Sequence, residues 1–331
     1  MTTRRRGWLL LVGGMLIVGC AGGSTPSSLD GAGSESSRVA GVWWLAFGLG
    51  AAVYAIVAGL VVFGALRNGS AEVDAPRRQR ERVVIAVGGV LIPFFILLFL
   101  AGVTVNATAH LRKAAPSNSV QIEVTGKRWW WQVRYPALGI DTANEIHIPV
   151  GQPVHFTLKS DNVIHSFWVP QLAGKEDMIP GQTNELTFTA NRPGKYRGLC
   201  AEYCGTEHAK MLLFVIAQPA SDFTTWVAHE KALLTGPTSE ETAAGQQVFE
   251  REACAGCHTI RGTSATGTIG PNLSDVGSRS TIAAGWLENT PENLASWIDD
   301  AQKIKPGSLM PPIALSDRDL SAIVAYLESL K

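Results

Sequence analysis

The chain has 331 residues, more than one compact domain usually holds, so two or three structural units are expected. Lys plus Arg and Asp plus Glu each total 28, and a zero net charge lacks the basic excess of a nucleic-acid binder. The apolar share is 46% against 17% charged, which leans toward a membrane contribution, and five cysteines cannot all pair within one chain.

Arg4, Arg5 and Arg6 precede an apolar run from Trp8 to Val18, followed by Gly19 and Cys20. A basic start, a short apolar stretch and small residues at the cut describe a secretory signal over residues 1–19. Ile17-Val18-Gly19-Cys20 also resembles a bacterial lipobox, which makes Cys20 the expected site of lipidation. Ser and Gly dominate residues 22 to 37, so 20–38 reads as a flexible tether.

Val39 to Leu66 is 28 residues without a charge, and Val83 to Val105 is another 23. At about 1.5 Å per residue both exceed a hydrocarbon core of about 30 Å. Transmembrane helices are therefore expected over 39–66 and 83–107, the second kinked by Pro93. The loop 67–82 carries five basic residues (Arg67, Arg77, Arg78, Arg80, Arg82) against Glu72, Asp74 and Glu81. A Lys/Arg excess in a short loop marks the cytoplasmic side. The hairpin then places the N-terminus and everything after about residue 107 on the periplasmic or extracellular face of a bacterial cell (inner) membrane.

From Val120 onward, short alternating runs such as Val120–Val124, Val154–Leu158 and Glu185–Thr189 are separated by Gly151, Pro180-Gly181 and Pro193-Gly194. This pattern predicts an all-β sandwich over 118–222. Within it, Cys200, Cys204, His208 and Met211 share one loop, and His165 lies upstream. Two thiolates, two imidazoles and a thioether form a soft donor set that favours copper over hard cations. Two cysteines four apart can both bridge a pair of metal ions, each ion then taking one histidine and one weak axial donor. Met211 and a backbone carbonyl are candidates for that last role. A small-loop disulfide between Cys200 and Cys204 is an alternative. Tetrahedral zinc is another, although it leaves Met211 without a role.

With these residues in view, 39–216 resembles subunit II of haem–copper cytochrome c oxidases, a transmembrane hairpin followed by a cupredoxin domain with the binuclear CuA centre. The likeness is carried by Val163–Pro170, Asp177-Met178-Ile179-Pro180-Gly181 and the cysteine loop. It implies that His165, Cys200, Cys204, His208 and Met211 bind the copper pair through side chains. It also implies that Glu202 gives its carbonyl to copper and its carboxylate to a magnesium shared with subunit I. Trp129, Trp130 and Trp131 match the family's aromatic segment, where electrons enter, with simple packing expected for two of the three. Many relatives carry a glutamate early in the second span that admits protons to subunit I. None appears in Val83 to Ile92, which puts that role in doubt.

A linker over 223–239 precedes Cys254-Ala-Gly-Cys257-His258, the attachment motif of c-type haem. Both thiols face the haem vinyl groups, and His258 points at the iron. Met310 is the only methionine after Met211 and is the expected sixth ligand; methionine opposite histidine raises the potential. Helical patterns over Glu241–Glu252 and Asp317–Leu330 flank the motif. Gly245 and Phe249 against Tyr326 resemble the packing of first and last helices in cytochromes c, and Gly270–Leu273 resembles the loop beside the proximal histidine. The domain 240–331 holds 7 basic and 12 acidic residues, an acidic face toward which a basic donor could be steered.

The expected protein is thus a multidomain membrane protein: a two-helix transmembrane hairpin, an all-β cupredoxin sandwich and an all-α cytochrome c domain, resembling the caa3 type. The resemblance implies that electrons from a cytochrome c or cytochrome bc complex reach haem c, then CuA, then subunit I. There oxygen is reduced and protons are pumped, within a complex that includes subunits I and III. Four histidines remain unassigned (His110, His147, His155, His229), too few for an oxygen-reducing site in this chain. A CuA/haem c subunit of a nitric oxide reductase and a free-standing membrane electron carrier are the alternatives, and the co-purifying partner discriminates them.

Overall fold

The computed structural model describes residues 26–66, 75–111, 114–232, 236–237, 239–252 and 254–331. The expected signal, Cys20 and residues 67–74 of the basic loop lie outside them. Among the described residues two helical stretches are long and apolar enough to cross a membrane. Helix α1 spans Ser34–Leu66. The second stretch comprises α2 (Ala75–Ala86), a π-turn (Val87–Leu91) and α3 (Ile92–Leu111). No protein surface covers their apolar windows, as expected of helices that face lipid. The disturbance expected at Pro93 takes the form of that π-turn, in which the Ile92 amide donates to the Val87 carbonyl. A proline ring crowds the carbonyl four residues back in an α-helix, and the wider turn relieves the crowding.

Ten strands form the sandwich: β1 (Val120–Lys127), β2 (Trp130–Tyr135), β3 (Ile140–Ala143), β4 (Glu145–Pro149), β5 (Pro153–Ser160), β6 (His165–Trp168), β7 (Glu176–Met178), β8 (Asn184–Thr189), β9 (Gly194–Cys200) and β10 (Leu212–Gln218). One sheet has the order β3-β2-β1-β5-β8 and the other β4-β10-β9-β6-β7. Period-two alternation sends Ile122 and Val124 inward while Glu123 turns out to meet Lys159 at 2.8 Å. Between the sheets, Phe156 packs on Phe167 and Phe188 with centroids 5.3 and 5.1 Å apart.

Two segments depart from the expected tether and linker. Residues 26–33 lie along the sandwich edge. The Ala32 and Gly33 amides donate to the Gln171 carbonyl, and Asn191 donates to the Ala32 carbonyl at 2.7 Å. A Cβ on Gly33 would sit 2.1 Å from the Leu172 carbonyl oxygen, so glycine there serves close approach and not flexibility. In the expected linker, Ala220–Ala232 is helix α4. Phe223, Trp226 and Val227 recur at helical spacing and pack on the sandwich core, with Trp226 stacked on His147 at 4.5 Å.

The C-terminal domain contains α5 (Glu240–Arg251), α6 (Cys254–Cys257), a short ribbon of β11 (Thr281–Ile282) and β12 (Leu287–Glu288), α7 (Pro291–Asp299), α8 (Ala301–Ile304) and α9 (Asp317–Ser329). Ser239 and Thr242 form a capping box at the start of α5. Gly245 lets α5 meet α9, since a Cβ there would lie 2.0 Å from the Ala322 carbonyl oxygen. Phe249 meets Tyr326 edge-on at 6.2 Å, the packing expected of first and last helices.

Polar groups join the two soluble domains. Glu145 Oε1 accepts from the Ser280 and Thr281 amides at 3.0 and 3.1 Å. Thr142 donates to Asp275 at 2.9 Å, Asp275 pairs with Arg279, and Arg261 donates to the Glu230 carbonyl. The Glu230 carboxyl is buried at this junction, with one oxygen lacking a hydrogen-bond partner. Burial, reinforced by Asp275 and opposed by Arg279 and Arg261, pushes its pKa up to about 7. The folded carboxyl therefore keeps a proton that the unfolded chain has lost, and stability falls as pH rises from about 4.5 to about 7. Glu230→Gln removes that loss. Thermal unfolding of the full chain in detergent should show a midpoint above the parent's at pH 8, reflecting on the order of 1–3 kcal/mol, and little difference at pH 5. Equal midpoints at pH 8 would contradict it.

Candidate metal and cofactor sites

Strand pairing brings the soft donors together. Phe167 on β6 pairs with Cys200 at the end of β9, which sets His165 beside the cysteine loop. The Cys200 amide donates to the Met211 carbonyl and the Ala201 amide to the Ser166 carbonyl, both at 3.0 Å, so the loop is stapled at each end. Cys200 Sγ lies 3.8 Å from His165 Nδ1 and 3.2 Å from the Glu202 carbonyl oxygen. Cys204 Sγ lies 3.6 Å from His208 Nδ1 and 3.8 Å from Met211 Sδ. The ligand atoms of His165, Cys200 and Cys204 all fall within 4.8 Å of one another. His165, Cys200, Cys204 and Met211 are each no more than 4% exposed.

Cys200 and Cys204 are free thiols, so the disulfide alternative is not the state seen. The Cys204 thiol beside it, together with His165, holds the Cys200 pKa down at about 3, while Cys200 in turn, with burial, pushes the Cys204 pKa up. One thiolate is thus ready to ligate, and metal binding displaces the second proton. The Met211 thioether stands against the pair, which a tetrahedral zinc site would leave idle. The donors fit a pair of copper ions. The Glu202 carbonyl faces Cys200, while its half-exposed carboxylate lies 3.8 Å from Lys175.

Two glycines that sequence reading passed over make room for this pocket. A Cβ on Gly126 would lie 2.8 Å from the His165 ring. Gly205 has φ +120, and its Cβ would lie 2.9 Å from the Trp129 indole.

The second site is an apolar cavity of about 310 Å³ on which Cys254, Cys257, His258 and Met310 converge. His258 Nδ1 meets the Pro271 carbonyl at 2.8 Å, which fixes the ring and leaves Nε2 for a metal. Burial lowers the His258 pKa and so favours the neutral, ligating imidazole. A Cβ on Gly270 would come within 2.5 Å of the same ring, which explains the Gly270–Leu273 loop. Gln302, unnoticed in the sequence, donates to the Met310 carbonyl at 2.7 Å and to the Ser308 carbonyl at 2.8 Å, pinning the methionine loop. Two thiols, a fixed imidazole and a thioether around an apolar cavity fit a covalently held haem.

The three tryptophans part company. Trp131 is wholly buried in the sandwich core, edge-on to Phe167 at 5.9 Å. Trp130 is half-buried with Lys127 over its ring. Trp129 lines the apolar cavity and donates its indole N–H to the Cys204 carbonyl at 3.0 Å. One indole therefore touches both sites.

Comparison with known proteins finds matches to two domains in this chain. Residues 136–218 match the family model for the periplasmic domain of cytochrome c oxidase subunit II, and residues 242–331 match the cytochrome c model. Cytochrome c oxidase subunit 2 of Alkalihalophilus pseudofirmus is 35% identical over 325 residues, covering 96% of this chain and 94% of that one. The subunit 2 of Bacillus subtilis is 30% identical, covering 80% of each. Among solved structures, the periplasmic domain of cytochrome oxidase subunit II from Bradyrhizobium japonicum is 30% identical over 36% of this chain and 97% of that one, with a TM-score of 0.34. The oxidase domain implies copper and the cytochrome c domain implies haem. Matched along nearly its whole length and carrying both domains in order, the chain belongs to the cytochrome c oxidase subunit II family, in the form with a fused C-terminal cytochrome c domain.

Proposed function

We propose that the chain relays electrons within a haem–copper oxidase, from a donor cytochrome c or cytochrome bc complex through haem c and CuA to subunit I. Oxygen reduction and proton pumping belong to subunit I, and subunit III completes the complex. Haem c would be held by Cys254, Cys257, His258 and Met310. The copper pair would be held by His165, Cys200, Cys204, His208, Met211 and the Glu202 carbonyl, with the Glu202 carboxylate offered to a magnesium at the subunit I boundary. When bound, both groups supply reversible one-electron chemistry. The redox domains and N-terminus face the periplasm or exterior, Cys20 carries lipid, and the basic segment between the spans faces the cytoplasm.

The observation that carries this reading is the shared indole. Trp129 is 9% exposed, walls the cavity of the haem ligands and bonds to the backbone of a copper-ligand residue. The residues around it do three things. They bury most of the donors, they hold donors in fixed directions through hydrogen bonds, and they place the two ligand sets on either side of one indole. Fixed donors limit the rearrangement that accompanies a change of charge, which favours fast transfer of single electrons. Nitric oxide reductase subunits with the same two centres are the second reading, but the relatives matched over 80% or more of their length carry the oxidase name.

Purification in mild detergent should bring down a haem–copper subunit I; its absence would refute the oxidase role. Cys204→Ser should abolish the mixed-valence copper EPR signal and leave covalent haem staining intact, whereas a persisting signal would refute the copper assignment. Met310→Ala should lower the haem potential by on the order of 100 mV in a redox titration, because the thioether is what raises it. An unchanged potential would mean that another residue is the sixth ligand.

A further inference from the structure

Lys305 is a buried charge that the ligand sets do not use. It follows α8, five residues before Met310, and is 3% exposed. Its Nζ donates to the carbonyls of Trp129 at 2.9 Å, Lys210 at 3.1 Å and Ala283 at 3.2 Å. An ammonium has three protons, and these three acceptors account for all of them. Trp129 and Lys210 belong to the cupredoxin domain, whereas Ala283 belongs to the cytochrome domain. The lysine thus stitches one domain's backbone to the other beside both redox sites.

Neighbouring contacts follow the same line. Lys210 Nζ returns a hydrogen bond to the Ile304 carbonyl at 2.6 Å, and the Leu212 amide donates to the Ala284 carbonyl at 3.0 Å. Lys210 and Leu212 flank Met211, so cytochrome segments grip the copper loop on both sides of a ligand. Carbonyl dipoles satisfy a buried ammonium only when all are aimed at it, and a shifted register would leave several unpaired. One docked arrangement is thereby selected over the loose contact usual between linked domains.

We propose that Lys305 is a positioning residue that fixes the cytochrome domain in one register on the copper loop, so that electrons pass in a standing geometry and not by swinging of the haem domain. This rests on the relay proposed above. Lys305→Met keeps the bulk but leaves three carbonyls unpaired in the docked state, while the open state hydrates them. The exposed Lys303, mutated to Met, is the control.

The test uses the full chain in detergent. Hydrogen exchange at Leu212 should accelerate about tenfold in Lys305→Met and stay unchanged within α5, which separates undocking from unfolding. Flash-initiated electron transfer from haem to copper should slow about tenfold and become sensitive to added glycerol, with the copper EPR signal unaltered; the haem potential, titrated in the same sample because Lys305 lines that cavity, corrects the rate for any change in driving force. In the parent the same rate should be independent of viscosity. A parent rate that falls with viscosity, or a variant matching the parent in both exchange and rate, would overturn the proposal. If the variant does not accumulate, the viscosity measurement on the parent decides. Exchange reads docking without reference to electron flow; loss of the relay reading alone would appear as a parent lacking haem or copper.

Discussion

The two redox sites share a wall because one indole fits between them, and much of the surrounding sequence serves that fit. Trp129 reaches the Cys204 carbonyl from outside the sandwich, so the copper loop must leave it space. Gly205, at φ +120, provides the space, because any side chain there would collide with the ring and strain the backbone as well. On the cytochrome side Gly307 leaves its Cβ position 3.6 Å from the same ring. The indole N–H finds its one partner, and an otherwise apolar ring fills the contact between domains. Removing water from that contact makes each remaining polar interaction more selective.

The clustered soft donors depend on the sandwich in the same direct way. Their positions come from strand register: a slip of one residue in the β6–β9 pairing would turn His165 away from Cys200. The pocket therefore inherits the rigidity of the core instead of relying on loop stiffness. Its thiols already show what a metal resolves. The two pKa values are driven apart, Cys200 held low by the Cys204 thiol and Cys204 pushed high by Cys200 and burial, and a bound metal would displace the proton that remains.

The two donor clusters were legible in the sequence because their spacing is local: four donors in twelve residues, and the five-residue Cys254–His258 motif. The sandwich was legible because alternation is a local signal too. What stayed hidden depends on partners distant in the chain. The glycines and serines of 26–33 read as a tether because their acceptor, the Gln171 carbonyl, lies about 140 residues away. Residues 223–232 read as part of a linker because only three of them, Phe223, Trp226 and Val227, are large and apolar, and their cover is the core of the sandwich. Gln302 carries no motif, since its role exists only once the Met310 loop folds over it. Trp131, one of three adjacent tryptophans, goes to the core because β-strand alternation turns it opposite to its neighbour Trp130.

Charge is divided between the inside and outside of the cytochrome domain. Arg261, Arg279 and Lys305 reach toward the cupredoxin domain, and Asp275 meets Arg279 there. Setting those four aside, 4 basic and 11 acidic residues remain for the rest of the domain, a stronger imbalance than the 7 and 12 counted along the chain. Docking therefore uses cations, and the outer face keeps the negative field. A field of that sign repels nothing at the junction, where basic groups are matched to carbonyls and carboxylates. A basic protein would be steered by it toward the domain that would hold haem. The same partition of charge that seats this domain on the copper loop leaves its free side suited to the electron donor proposed for it.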